Sequence, residues 1–297
     1  MIIREALTRS AAGLKEAGIE TSSLDASLLL AHILNVSRTA LFASETEPLP
    51  EEKFAALRAL IQRRLNGECT AYILGKKEFR GLEFLVNPSV LVPRPDTETL
   101  VEAALEILEN NFISKTPRAS AVKNSSENDN AIRVLDLCTG SGAVAVSLKN
   151  EMPEIEVYAA DISADALETA KLNAQRLLPS VSVQFFLSDL YGALPCPPFH
   201  LIVSNPPYIA AGEIINLPPE VQKEPRVALD GGQDGLEIIR RIIEGAPGKL
   251  RRGGSLLLEA DPSQMKKIAG LLEKNGFYNI KLYNDLSGKE RVTGGTY

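Results

Sequence analysis

The sequence predicts an α/β protein whose larger part is a doubly wound, mostly parallel sheet, preceded by a small helical bundle and a β-hairpin linker. Three observations predict this fold. From residue 132 onward, short apolar runs that suit buried strands alternate with helical segments. A glycine-rich loop joins the first of these runs to a helix. Residues 1–75 instead carry apolar residues at three-to-four spacing, which is typical of amphipathic helices.

Residues 1–75 are predicted to form a helical domain. They hold eight Lys or Arg and nine Asp or Glu residues, so this segment is close to neutral. Its role is either that of a structural cap or that of a docking domain for a protein substrate. The apolar spacing predicts helices over Ile3–Ala17, Ser23–Leu34 and Glu51–Leu65.

A β-hairpin linker is predicted over residues 76–95, where Gly and Pro interrupt an alternating pattern. The sheet domain then spans residues 96–297. It begins with a helix from Thr97 to about Phe112. Residues 114–131 are rich in Ser, Asn and Lys and hold almost no large apolar side chains, so they are predicted to be a flexible insertion.

Seven strands are predicted in the sheet domain. One helix is predicted directly after Gly142, and two more are predicted over residues 236–243 and 262–274. A long loop at 209–233, which contains Pro and Gly, is suited to shaping a substrate channel. The predicted strands cover residues 132–138, 157–161, 181–187, 200–205, 255–259, 280–283 and 290–294.

The ends of the first three strands carry a candidate cofactor site. The first ends at Cys138 and continues as Thr139-Gly140-Ser141-Gly142, where glycines let a ligand approach the backbone at a helix N-terminus. The second strand ends at Asp161, whose carboxylate suits ribose hydroxyls. After the third, Asp189 suits an adenine amine or a helix N-cap, and Leu190 suits the adenine ring. These residues fit NAD or S-adenosylmethionine equally.

The fourth strand distinguishes between these two cofactors, because it ends in Asn205-Pro206-Pro207-Tyr208. Two prolines fix the turn. The Asn205 side chain and the carbonyls of Asn205 and Pro206 can then face one spot as acceptors, with the Tyr208 ring beside them. Such a cup suits a planar NH₂ group. A hydride-transfer enzyme has no use for it, whereas a methyltransferase acting on a planar nitrogen does, so Asn205, Pro206 and Tyr208 are the candidate catalytic residues. All four residues are candidates for substrate binding.

Composition excludes several other classes. Only His32 and His200 could supply imidazole, and His200 lies about 16 Å of extended chain from the cup, so neither histidine catalysis nor a metal site is expected. The net charge of −6 disfavours direct nucleic-acid binding. No apolar run is long enough for a membrane span. The three scattered cysteines and the lack of a signal peptide predict a cytoplasmic protein.

Over nearly its whole length the chain resembles the N5-glutamine methyltransferases that modify class I peptide release factors. The motifs that carry the resemblance are Asn205-Pro206-Pro207-Tyr208, Asp136-Leu-Cys-Thr-Gly-Ser-Gly142, Ala71-Tyr-Ile-Leu-Gly75, Phe79-Arg-Gly-Leu82, Val92-Pro-Arg-Pro-Asp-Thr-Glu98, Glu224-Pro-Arg-Val-Ala-Leu229 and Asp234-Gly-Leu236.

The resemblance implies a seven-stranded methyltransferase sheet, S-adenosylmethionine as cofactor with S-adenosylhomocysteine as product, and class I release factors as partners. It implies methylation of the glutamine side-chain nitrogen in their Gly-Gly-Gln motif, and it favours the docking role for residues 1–75. Departures from the family pattern are Cys138 for Gly, Asp96 for Glu, His200 for Asp and a less Gly-rich segment after Leu258.

Two alternatives remain open on the residues alone. An adenine-N6 methyltransferase acting on DNA or RNA could use the same cup, although no basic target-recognition region stands out. A non-catalytic S-adenosylmethionine-binding module is the second, and the intact cup argues against it.

Overall fold

The computed structural model describes residues 1–113, 131–195 and 198–297. The described chain divides into two compact units. The first comprises Met1–Lys76 together with Pro218–Lys223, and the second comprises Lys77–Leu217 and Glu224–Tyr297. The predicted flexible insertion covers residues 114–131, of which 114–130 lie outside the described part, as does Cys196.

The first unit is helical. Leu14, Leu29, Leu30 and Leu57 form the centre of its core and are fully buried. Two helices within Met1–Lys76 were not predicted, because six and five residues are too few to show a helical period. Local signals set their limits. The Ser37 side chain accepts a hydrogen bond from the Ala40 amide at the start of Arg38–Ala43, and Gly75, in the left-handed conformation, ends Thr70–Leu74. The helices are α1 (Ile3–Glu16), α2 (Ser22–Leu34), α3 (Arg38–Ala43), α4 (Glu51–Leu65) and α5 (Thr70–Leu74).

The predicted hairpin is present as the two-stranded sheet of β1 (Lys76–Phe79) and β2 (Leu82–Leu85). Its turn, Arg80-Gly81, has positive φ at both residues, as a two-residue hairpin turn of this hand requires. Beyond Leu85 the chain holds no further strand up to Arg94, so the hairpin occupies only the first half of the predicted linker.

The second unit contains a seven-stranded sheet made of β3 (Arg133–Leu137), β4 (Glu156–Asp161), β5 (Val183–Leu187), β6 (Phe199–Ser204), β7 (Leu250–Glu259), β8 (Tyr278–Asn284) and β9 (Glu290–Thr296). The strand order is β5-β4-β3-β6-β7-β9-β8. Strand β9 runs antiparallel to β7 and β8, and the other neighbouring pairs are parallel. The predicted doubly wound, mostly parallel seven-stranded sheet is therefore confirmed. The strand order reverses direction between β3 and β6, the point where such sheets bind ligands.

Helices cover both faces of this sheet. Side chains alternate between two cores along the central strands, so Val134 belongs to one core and its neighbour Leu135 to the other. The helices that follow the hairpin are α6 (Glu98–Leu108), α7 (Ala143–Glu151), α8 (Ala164–Leu177), α9 (Pro219–Gln222), α10 (Glu237–Gly245) and α11 (Met265–Lys274). Helices α6, α7 and α8 pack on the first core, and α10 and α11 pack on the second. Helix α9 belongs to the helical unit.

The loop predicted at 209–233 is less open than its sequence indicates. It contains α9 and two short 3₁₀ turns, Ile214–Asn216 and Arg226–Ala228. Within the described ranges, no helix has the length and apolarity that crossing a membrane requires.

Candidate active site

The register of three parallel strands brings the candidate site residues together. Leu137 of β3 is paired with Ala160 of β4 on one side and with Ser204 of β6 on the other. The Ser204 hydroxyl also donates to the Leu137 carbonyl at 2.7 Å. The residues that follow these three positions, Cys138, Asp161 and Asn205, therefore leave the sheet side by side at the switch point.

A cavity of about 470 Å³ opens at this edge, within the second unit. Its lining contains every residue predicted to bind a cofactor except Gly142. Gly142, with φ of +80°, precedes α7, and a side chain there would meet Ala170 of α8 at 3.2 Å. Its glycine is required for close helix packing. The predicted residues that line the cavity are Cys138, Thr139, Gly140, Ser141, Asp161, Asp189, Leu190 and Asn205.

The glycine-rich loop is held from below by Asp136. This buried carboxylate accepts a bond of 2.6 Å from the Thr139 hydroxyl and one of 3.2 Å from the Ala145 amide. Burial raises the pKa of Asp136 to about 7. Cys138 adopts φ of +58°, a conformation that favours glycine, which the resemblance indicates for this position. Burial raises the pKa of its thiol, so Cys138 is a neutral wall of the cavity.

Asp161 connects the loop to the end of β4. Its carboxylate accepts the Gly140 amide at 2.8 Å and the Ser163 amide at 2.9 Å, one bond on each oxygen. Burial raises its pKa, although the backbone bonds oppose this shift. Each carboxylate oxygen can accept a second bond, so the residue can also hold two hydroxyl groups in the cavity.

Asp189 and Leu190 form the opposite side of the cavity. Leu190 is buried and has φ of +49°, a strained conformation of the kind that concentrates at functional sites. The Asp189 carboxylate pairs with Arg241 of α10 at 2.8 Å. Asp189 begins a tight turn instead of capping a named helix, since its carbonyl accepts the Gly192 amide. Arg241, which the sequence did not single out, also lines the cavity.

The Asn205-Pro206-Pro207-Tyr208 turn lies at the wall of this cavity. Asn205 and Pro207 line it, whereas Pro206 and Tyr208 do not. The Asn205 side-chain nitrogen donates to the Thr97 hydroxyl at 3.1 Å, which leaves its oxygen as an acceptor. Burial raises the pKa of Tyr208 to about 12, so its hydroxyl stays protonated, and its ring packs on the second core.

Two glycines that the sequence did not assign support this turn from behind. A Cβ on Gly231 would lie 2.8 Å from both the Pro207 carbonyl and the Tyr208 Cα. A Cβ on Gly235 would collide with the Tyr208 carbonyl. That carbonyl accepts the Gln264 side chain at 2.9 Å, and the Gly231 amide donates to the Ile209 carbonyl at 2.8 Å. The backbone of the turn is therefore fixed by close contact.

The segment between the hairpin and α6 supplies a further wall of the cavity. Arg94 lines the cavity and pairs with the buried Glu224, which also accepts the Val92 amide at 3.0 Å. Arg94 is thus both an ion-pair partner and a lining residue of the cavity. Arg94 and Glu224 belong to two of the motifs that carry the family resemblance, Val92-Pro-Arg-Pro-Asp-Thr-Glu98 and Glu224-Pro-Arg-Val-Ala-Leu229.

The arrangement combines an acidic and glycine-rich cavity with a rigid polar turn. It can hold a nucleoside-like ligand beside an acceptor for a planar amine. In the described part of the chain, no group of three or more His, Cys, Asp or Glu side chains could hold a metal ion.

Comparisons with known proteins agree with this arrangement. The PrmC N-terminal domain matches residues 5–75, and the Methyltransferase small domain matches residues 120–218. A release factor glutamine methyltransferase of Geobacter sulfurreducens is 39% identical, over 99% of this chain and 96% of its own. One of Bordetella pertussis is 43% identical, over 92% of this chain and 94% of its own.

Solved structures share the fold at lower identity. The T. thermophilus 16S rRNA N2 G1207 methyltransferase, in complex with AdoMet and guanosine, is 21% identical with a TM-score of 0.51, over 74% of this chain and 49% of its own. The hMettl16 catalytic domain, in complex with an RNA hairpin, is 16% identical with a TM-score of 0.53, over 80% of this chain and 81% of its own. These likenesses concern the fold alone.

Proposed function

The chain belongs to the release factor glutamine methyltransferase family, and we propose that it transfers a methyl group from S-adenosylmethionine to the side-chain nitrogen of a protein glutamine. The acceptor is the glutamine of the Gly-Gly-Gln motif of class I peptide release factors. The single observation that carries this proposal is Asn205, whose side-chain oxygen is left as an acceptor beside a cavity of cofactor size.

The residues of the cavity fit S-adenosylmethionine. Its volume of about 470 Å³ falls within the range of small-molecule sites, roughly 300–1,000 Å³. Asp161 would hold the ribose hydroxyls, and the apolar side of Leu190 would face the adenine. The backbone of Thr139-Gly140-Ser141 and the Cys138 side chain would form the floor. Asp189 would accept a hydrogen bond from the adenine amine, and this bond would replace part of its ion pair with Arg241.

S-adenosylmethionine supplies a methyl group activated by its sulfonium. The contribution of the protein is to make a poor nucleophile reactive, because an amide lone pair is delocalised into its carbonyl. The Asn205 oxygen and the Pro206 carbonyl would each accept a hydrogen bond from one of the two N–H groups of the glutamine side chain. These bonds would orient the nitrogen and stabilise the positive charge that develops on it. Tyr208 would pack on the amide plane. The N–C bond would form as the S–CH₃ bond of the sulfonium breaks. S-adenosylhomocysteine would be the leaving group, and the methylated nitrogen would then release a proton to solvent.

We expect Asp161→Ala to weaken cofactor binding by about 10-fold or more, because hydrogen bonds to a charged group contribute about 1.5–3 kcal/mol each. The change also removes the acceptor that holds the Gly140 amide. Calorimetric titration with S-adenosylmethionine measures the effect. Asp165→Ala, on the exposed first turn of α8, is the control and should leave the affinity unchanged. An unchanged affinity in Asp161→Ala would remove this residue from the proposed site.

The helical unit is proposed to dock the body of the release factor. Arg64 is not available for this role, since it is buried and paired with Asp25 and Glu220. Phe42 on α3 is 46% exposed and lies beneath the Arg38 guanidinium at 5.8 Å, which suits a protein contact.

We expect Phe42→Ala to raise KM for the intact factor by about 10-fold, the scale of an aromatic interface anchor. The rate on a short peptide that contains Gly-Gly-Gln should not change, because the peptide lacks the docked body. Steady-state methylation of both substrates measures this. Equal KM values for the factor in variant and wild type would exclude Phe42 from docking.

Incubation with methyl-labelled S-adenosylmethionine tests the proposed function directly. Label should enter intact release factor, and it should not enter a factor whose motif glutamine is replaced by alanine. Label in adenine of DNA or RNA would instead identify a nucleic-acid methyltransferase. Cofactor binding without transfer to either substrate would identify a binding module.

A further inference from the structure

Behind Asn205 lies a buried polar chain that ends at a carboxylate. The Asn205 side-chain nitrogen donates to the Thr97 hydroxyl at 3.1 Å, and that hydroxyl lies 3.2 Å from Oε1 of Glu259. Thr97 is 4% exposed and Glu259 is 1% exposed. The pairing of Ser204 with Leu258 explains the proximity, because Asn205 and Glu259 come next on adjacent strands.

We propose that Thr97 and Glu259 are positioning residues that fix which face of the Asn205 amide is presented to the methyl acceptor. This inference rests on the proposed function, in which the Asn205 oxygen accepts from the substrate amide.

The direction of the chain follows from hydrogen-bond chemistry. A threonine hydroxyl carries one hydrogen. Since Oε1 of Glu259 can only accept from it, that hydrogen is used, and the Thr97 oxygen is left to accept. Only the nitrogen end of the Asn205 amide can donate to it. The oxygen end must then point away, toward the cavity that Thr97 and Asn205 both line.

Burial raises the pKa of Glu259 to about 7, but protonation does not reverse this direction. The second carboxyl oxygen, Oε2, has no hydrogen-bond partner among the described residues, so a proton can lie there while Oε1 still accepts. The charged groups that interact electrostatically with Glu259 are Arg291, Asp96 and Arg94. The Glu259 carboxylate in turn interacts with the Tyr208 hydroxyl. Because the buried Nε of Arg291 lacks a hydrogen-bond partner among the described residues, a side chain at position 259 is stabilised when it turns an oxygen, and not an NH₂ group, toward Arg291.

The test is single-turnover methylation of release factor at saturating S-adenosylmethionine, with cofactor affinity measured separately. Thr97→Val keeps the shape of the side chain and removes the hydroxyl, so the Asn205 side-chain amide is free to rotate and exchange the positions of its oxygen and nitrogen. We expect the rate to fall about 10-fold, with cofactor affinity within about threefold of wild type. Thr97→Ser restores the hydroxyl and should recover most of the rate.

Glu259→Gln provides a second variant. Its amide oxygen should turn toward Arg291, so that its NH₂ group faces Thr97 and the direction of the chain is reversed. We expect a rate loss at least as large as in Thr97→Val, again with little change in cofactor affinity.

Thr169→Val is the matched control. Thr169 is a buried threonine whose hydroxyl also accepts from an amide, Asn87 Nδ2, at 3.0 Å, but it does not line the cavity. It should lose stability without losing rate. If wild type methylates the factor and Thr97→Val does so equally fast, the positioning inference is overturned while the function stands. If wild type does not methylate the factor, the proposed function itself fails.

Discussion

Asn205→Ala is expected to slow methylation of the release factor by roughly 10²-fold or more, the scale on which loss of one preorganised contact to a reacting group acts. The substitution removes the acceptor on the cavity wall and leaves Asp161 and the glycine-rich loop in place. Cofactor affinity should therefore fall by only a modest factor. Single-turnover methylation beside calorimetric cofactor titration measures both quantities.

Asp161→Ala serves as the reciprocal variant, because its carboxylate contacts the loop and not the turn. Its main defect should be weak cofactor binding, with much of the rate recovered at high cofactor concentration. Near-normal turnover in Asn205→Ala would exclude the proposed clamp, even with the fold and the cofactor unchanged.

Much of the fold could be predicted because its signals are local and periodic. Buried parallel strands appear as short apolar runs, and the observed β3, β4 and β6 lie within one or two residues of the predicted ones. Strand ends then place Cys138, Asp161 and Asn205 at one edge without knowledge of tertiary contacts. For the same reason the glycine-rich loop, Asp161 and Asn205 were the easiest parts of the candidate site to find.

The remaining parts of the site depend on contacts that no local pattern records. Thr97 and Glu259 are 162 positions apart, and Arg94 and Glu224 are 130 apart. Helices α3 and α5 are too short to show a period. Pro218–Lys223 belongs to the helical unit although it lies within the sequence of the sheet domain, because Glu220 pairs with Arg64 and Lys223 bonds the Asn66 carbonyl. Only the folded chain shows these pairings.

Gly231 is the clearest example of a residue whose role depends on such contacts. It is an ordinary turn glycine in the sequence, and its φ is not in the left-handed region. A methyl group on it would nevertheless lie 2.7 Å from the Gly235 carbonyl and 2.8 Å from the Pro207 carbonyl and the Tyr208 Cα. All three contacts are to backbone, so no flexible side chain can move aside.

We expect Gly231→Ala to displace the Pro207–Tyr208 backbone and to slow methylation by on the order of 10²-fold, since a shift of about 1 Å at a reacting group has an effect of that size. Stability should fall by about 1–3 kcal/mol, as overpacking of this kind usually causes. Single-turnover rates, cofactor titration and thermal unfolding measure the three effects. Cofactor affinity should change least, because Asp161 and the glycine-rich loop are not contacted by Gly231.

Gly212→Ala is the matched control in the same loop, because a Cβ there meets no atom within 4 Å and its φ is also outside the left-handed region. It should leave rate, affinity and unfolding temperature unchanged. If Gly231→Ala lowers the unfolding temperature but methylates at the wild-type rate, the turn tolerates displacement, and rigid positioning of Asn205-Pro206-Pro207-Tyr208 is not what makes the amide nitrogen reactive. If its rate falls and its cofactor affinity holds, the close contact behind the turn is part of the catalytic arrangement.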